Sequence, residues 1–116
     1  MATRAAIIIE NGDGTVTGIY NHNDGYVSYL GRMLREHYPT IEDARALVAL
    51  GDVSQVGETL DDTIAYHRDR QEPWDSVKPL VCLLGDVAEL IESQYIYHHN
   101  GTQWMVKEAG GDWVTL

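Results

Sequence analysis

The chain has 116 residues and a formal net charge of −10, from 18 acids against 8 bases. That length suits one domain, residues 1–116, with a core that needs no disulfide or metal to hold it. The charge argues against direct nucleic-acid binding, and an apolar fraction of 44% argues against a disordered chain.

Phe is absent, so seven Tyr and three Trp carry the aromatic packing, each needing a partner for its polar atom if buried. The single cysteine, Cys82, lies in the apolar run Pro79-Leu80-Val81-Cys82-Leu83-Leu84 and is expected to be a buried, inert thiol. One cysteine forms no internal disulfide, which fits a reducing, cytoplasmic setting. No apolar stretch has the length of a membrane span, and the first ten residues do not read as a signal peptide.

In chain order, Thr3 to Glu10 reads as a strand with Ile7, Ile8 and Ile9 buried. Asn11-Gly12-Asp13-Gly14 is a hairpin turn, and Thr15 to Tyr20 is the return strand. A lone Gly18 in that strand points to a bulge or to close packing by another element. Asn21 to Gly25 is a cluster of turn formers. From Tyr26 the spacing of Val27, Leu30, Met33, Leu34 and Tyr38 predicts an amphipathic helix, capped by Asn23 or Asp24 and stopped by Pro39. Thr40-Ile41-Glu42-Asp43 opens a second helix with a capping box, burying Ile41, Ala44, Leu47 and Val48 and ending near Gly51.

Asp52 to Asp62 reads as an acidic loop. Thr63 to His67 is expected as a middle strand and Arg68 to Pro73 as a charged turn. Trp74 to Leu84 fits strand or loop. Asp86 is expected to cap a helix from Val87 to Glu92 with Val87, Leu90 and Ile91 inward. Tyr95 to His98 and Gln103 to Lys107 form a hairpin about Asn100-Gly101, and Trp113 to Leu116 adds a short last strand after Gly110-Gly111-Asp112. The fold class that follows is α+β. An antiparallel sheet of about five strands combines the N-terminal hairpin, a middle strand and the C-terminal hairpin. Two or three helices pack on one of its faces.

Chemistry-bearing patterns are sparse. His22 and Asp24 invite an acid–base or metal reading, but a turn of this composition more often caps, bonds to backbone or sits in water. Arg68 and Arg70 could hold an anion such as a nucleotide phosphate, yet Asp69 and Glu72 stand beside them as partners. His98 and His99 are strand neighbours and point to opposite faces, so one ion is not chelated by both. Tyr95, Tyr97 and Trp104 suit a cross-strand aromatic cluster in a core or dimer surface. No phosphate-binding loop, dinucleotide fingerprint, Ser-nucleophile elbow or paired-Cys zinc spacing occurs, and no metal or cofactor is expected.

The acids are uneven. Residues 52–92 hold ten acids and three bases, a local −7, against six acids and four bases in residues 1–51. The pattern Ile19-Tyr20-x-His22-x-Asp24-Gly25-Tyr26, followed by Leu30-Gly31, His37-Tyr38, Leu47-x-x-Leu50-Gly51-Asp52-x-Ser54 and Tyr66-His67-Arg68-Asp69-Arg70, resembles a family of small proteins encoded in phages and prophages. The resemblance covers most of the chain. It departs at Asn23, where some family-like sequences carry an aromatic residue. It implies a phage accessory protein acting in the host bacterial cytoplasm, and small acidic proteins of that kind are often inhibitors of host defence, including anti-CRISPR proteins.

The leading expectation is therefore a non-enzymatic inhibitor. An acidic face would mimic DNA and occupy the basic DNA-handling surface of a CRISPR effector complex, through Asp61, Asp62, Glu72, Asp75, Glu89 and Glu92. The alternatives are of other classes. A sponge for a nucleotide signal would use His22, Asp24, Tyr26, Arg68 and Arg70 with the aromatic cluster. An enzyme would use His22 and Asp24, and a virion or assembly protein would need neither. Exposed strand edges also suit a homodimer.

Overall fold

The computed structural model describes residues 2–116. Its organising element is the first strand, β1 (Ala5–Glu10), whose Ala5 to Ile9 are all buried. Such a run with no polar alternation fits a strand covered on both faces. β1 pairs antiparallel with β2 (Thr15–Asn21) across the expected hairpin, in which Gly12 and Gly14 take the positive φ that the turn needs. On its other edge β1 pairs parallel with β6 (Tyr95–His99), in register from Ala5 with Tyr95 to Ile9 with His99.

The sheet has eight strands. One path runs β4 (Ile64–Ala65), β3 (Val53–Gln55), β2, β1, β6, β7 (Trp104–Glu108) and β8 (Val114–Thr115), and β5 (Leu80–Leu83) joins the same edge of β2 as β3. The class is α+β, but the sheet is mixed and larger than the five antiparallel strands expected. The parallel pairing of β2 with β3 follows a helical crossover that returns the chain in its original direction, and that of β1 with β6 joins strands separated by most of the chain. Hairpin signals report only neighbours in sequence and cannot show these pairings.

Helices cover both faces, where one had been expected. On the first face, a turn of π-helix (Val27–Gly31) runs into α1 (Arg32–His37), and α2 (Ile41–Val48) follows. Leu30, Met33, Leu34, Tyr38, Ala44, Leu47 and Val48 pack there on Ala5, Ile7, Ile9, Ile19, Tyr97, Trp104 and Val106. On the second face, α5 (Val87–Leu90) brings Val87 and Ile91 onto Ala6, Ile8 and Val16.

Local chemistry explains several boundaries and corrects others. Thr40 accepts from the Asp43 N–H at 3.1 Å in a full capping box, as its spacing predicts. The preceding helix has no side-chain cap. Asn23 bonds Ser54 instead, and Asp24 sits at φ 55° with its carboxylate held by Gln55. The wider π turn also shifts the helical phase, leaving Val27 exposed, although it had been expected on the buried face. Val53 and Val56, which look isolated in an acidic loop, are buried, and Val53 starts β3. The expected charged turn at Arg68 is helix α3 (Tyr66–Arg70), where the Asp69 carboxylate reaches back to the Ala65 N–H at 2.8 Å. The expected middle strand is thereby cut to Ile64 and Ala65. α4 (Trp74–Val77) occupies part of the ambiguous stretch. Asp86 caps nothing with its side chain, and Leu90 faces outward. Cys82 is a free thiol, only partly buried, and burial pushes its pKa up.

Buried aromatics fasten the first face. The Tyr97 hydroxyl donates to the Gly25 carbonyl at 2.7 Å, and the Trp104 indole N–H donates to the Tyr38 carbonyl at 2.7 Å. Tyr97→Phe keeps the ring and leaves a buried carbonyl without its donor. The expected cost is about 1–3 kcal/mol in urea unfolding, with no change in fold by circular dichroism.

Candidate functional site

β2 offers its outer edge to two short strands, not one. β5 pairs with Thr15 to Gly18, and β3 meets it only at Asn21. The Tyr20 N–H falls in the gap between them. The Asp52 carboxylate fills that gap, accepting from Tyr20 N–H at 2.9 Å. The main chain of Asp52 is held too. Its N–H donates to the Val77 carbonyl at 2.8 Å, and its carbonyl accepts from the Tyr66 N–H at 3.1 Å. One residue thus ties β2, the lead into β5 and the start of α3.

Beside this plug lies an open cleft of about 400 Å³ on the second face of the sheet, lined by Arg4, Gly18, Tyr20, Asp52, Lys78, Leu80, Leu90, Ile91 and Glu92. Gly18 lies within it because a side chain would not fit. A Cβ there would stand 2.5 Å from the Ile8 Cγ2 and 3.3 Å from the Ile91 Cδ1. This is the close packing that a lone strand glycine suggests. Arg4 pairs with Glu92, and Lys78 stands 3.6 Å from Asp75, both at exposed positions. The Tyr20 hydroxyl lies 2.6 Å from His22 Nδ1, and burial raises the Tyr20 pKa.

Among the described residues, Asp52 has no basic group in salt-bridge contact. Burial raises its carboxyl pKa above the ordinary 3.8, and the Tyr20 N–H offsets this only in part.

The residues singled out in the sequence are distributed otherwise. Of the nucleotide-signal candidates His22, Asp24, Tyr26, Arg68 and Arg70, none lines this cleft. His22 reaches its edge through Tyr20. Asp24 is tied to Gln55, and Tyr26 packs against Tyr29 with ring centroids 6.2 Å apart. Arg68 is engaged by Asp69 and the Thr63 carbonyl, and Arg70 lies over the Tyr66 ring at 5.4 Å. These partners hold the Arg68 guanidinium by hydrogen bonds, whereas Arg70 makes a ring contact alone among the described residues.

Asp61, Asp62, Glu72, Asp75, Glu89 and Glu92 are all exposed. Asp62 accepts from Thr59 in the turn before β4. Glu92 itself lines the cleft, and Asp75 pairs with the lining residue Lys78.

His98 and His99 do point to opposite faces. His98 Nε2 lies 3.1 Å from Glu10 Oε2 beside Trp113. His99 donates from Nε2 to the Pro39 carbonyl at 2.8 Å and accepts the Gly101 N–H at Nδ1, at 3.1 Å. Among the described residues, no group of three or more His, Cys, Asp or Glu is placed to hold a metal, and no helix is long and apolar enough to cross a membrane.

Comparison with family models, curated proteins and solved structures finds no match to this chain. Sequence reasoning missed Arg4, Tyr20, Asp52 and Lys78, which are brought together from four separate segments. The one local signal was Gly18, which marks the close approach of a second element.

Two pH effects follow, of opposite sign. Folded Asp52 holds its proton more tightly than the unfolded chain does. Its contribution is therefore fully present below 3.8 and lost as pH rises through the raised folded value. Asp52→Asn keeps an oxygen for the Tyr20 N–H and removes the charge. Its urea midpoint is expected above that of the parent at pH 7, with the difference vanishing toward pH 3. Burial lowers the His98 pKa below 6.5, with Glu10 opposing it, so protonation favours unfolding. Melting temperature is expected to fall as pH drops below 6.5, and His98→Phe should flatten that part of the profile.

Proposed function

We propose that the protein is a phage-encoded anti-defence protein that works by binding, as an acidic inhibitor of the DNA-handling surface of a CRISPR effector complex. Support comes from the net charge of −10 and from the exposure of the six carboxylates. One observation carries the reading furthest. Glu92 lines the cleft and Asp75 pairs with its Lys78, so two of the six carboxylates, from separate segments, meet the same cleft.

The bases there do not cancel that field. Arg4 and Lys78 are each matched by a single exposed acid, and exposed pairs are weak and readily exchanged. A basic channel built for a phosphate backbone would gain steered association with such a surface, and salt would slow it. Self-association is compatible with this reading, since Val81 and Leu83 on β5 are exposed and uncharged.

The test is plaquing on host strains that each carry one defined defence system, with and without this gene. Rescue is expected against a CRISPR type, and pull-down then identifies the subunit. Reversing Asp61, Asp62, Glu72, Asp75, Glu89 and Glu92 to Lys should abolish both rescue and capture while the urea midpoint stays that of a folded protein. Equal rescue by a folded reversal variant would sink the acidic-surface mechanism. Rescue confined to a nucleotide-signalling defence would transfer the reading to a sponge.

A further inference from the structure

The plug in the β2 edge has a feature that its structural role does not require. One neutral oxygen would satisfy the Tyr20 N–H. The chain instead places a carboxylate there, half-buried and, among the described residues, with no cation paired to it. Withdrawing an ionised group from water without a counter-charge is costly, and an amide at the same position would make the same bond without that cost. The remaining acceptor capacity of Asp52 lines the cleft described above.

The walls supply a complementary set. Lys78 and Arg4 bring positive charge to the same space, and their partners Asp75 and Glu92 have side chains 91% and 75% exposed. An incoming anion can take their place at little cost. The Lys78 pair is loose at 3.6 Å, which leaves the ammonium free to turn inward. Leu80, Leu90 and Ile91 add apolar surface, with Leu90 54% exposed. The Tyr20 hydroxyl, oriented by His22, adds a polar group on the wall. A volume of about 400 Å³ lies within the usual range for small-molecule sites.

We infer that this cleft binds a small amphoteric molecule, seating a nitrogen-donor group on Asp52 and an anionic group on Lys78 and Arg4, with its body against Leu80, Leu90 and Ile91. Two kinds of compound share that chemistry. One is an amino acid, with an ammonium and a carboxylate. The other is a nucleotide whose base presents an amino edge. The inference shares this cleft with the acidic-surface reading through Asp75 and Glu92, but it is tested separately, because Asp52 is not among the six carboxylates assigned to a protein partner.

The experiment is an amide-resolved NMR titration of the full-length chain. The probes are L-leucine on one arm, guanosine and adenosine 5′-monophosphate on the other, and inorganic phosphate as the anion alone. The expected result is a saturable shift of the Gly18 and Tyr20 amides with probes from one arm, which names the compound class. Asp52→Asn should weaken that binding by about tenfold or more while leaving the spectrum of the free protein folded. Lys78→Ala should weaken it too. The inference is overturned if no probe moves those amides at millimolar concentration, or if phosphate alone reproduces the shifts. It is equally overturned if Asp52→Asn binds as the parent does. Plaquing by Asp52→Asn reads the other proposal separately, since the six surface carboxylates are intact in that variant.

Discussion

Everything in this molecule is arranged around the burial of β1. Its five residues from Ala5 to Ile9 are hydrogen-bonded on both edges and covered on both faces. A strand in that position needs two layers above and below it and a partner on each side. The helical segment between β2 and β3 supplies one layer, and α5 supplies the other. β6 supplies the far edge and carries Tyr97 and His99, whose polar atoms bond the Gly25 and Pro39 carbonyls. The polar requirements of the buried aromatics thus fix how the loops cross the sheet, which is what a core without Phe entails.

The same arrangement creates the cleft. β2 is the neighbour of β1 on the side where the sheet is incomplete, and two short strands share its outer edge. Neither reaches Tyr20, so a main-chain donor is left in the gap. Leaving it unpaired would be unfavourable, and a side chain from the start of β3 is the nearest acceptor. The cleft and its carboxylate are therefore products of one topological fact, the division of an edge between β5 and β3.

What could be read in the sequence was local. The Asn11 to Gly14 turn, the Thr40 capping box, the Asn100-Gly101 hairpin and the opposed faces of His98 and His99 each rest on a few adjacent residues, and each is in place. The parallel pairing of β1 with β6 rests on contacts between the two ends of the chain and leaves no local mark. Val53 and Val56 were obscured because β3 is short and irregular, so alternation never develops. Asp52 was obscured for a different reason. Next to Gly51 it looks like a turn former in water, and only the missing bond of Tyr20, far away in sequence, gives it a role. The acidic character was plain from composition, whereas the placement of Asp52 and Glu92 in one cleft depended on the fold.

The β1–β6 pairing also bears on how the protein is made. Residues 5–9 are synthesised 90 positions ahead of their partners at 95–99. Until then a strand of three consecutive isoleucines has only its hairpin partner on one edge, and the other edge is open to any extended chain nearby. Long-range pairing of this kind also slows folding, since a large loop must close before the contact forms. A strong negative charge gives such a nascent chain protection, because incomplete copies on neighbouring ribosomes repel one another while the edge waits for its partner.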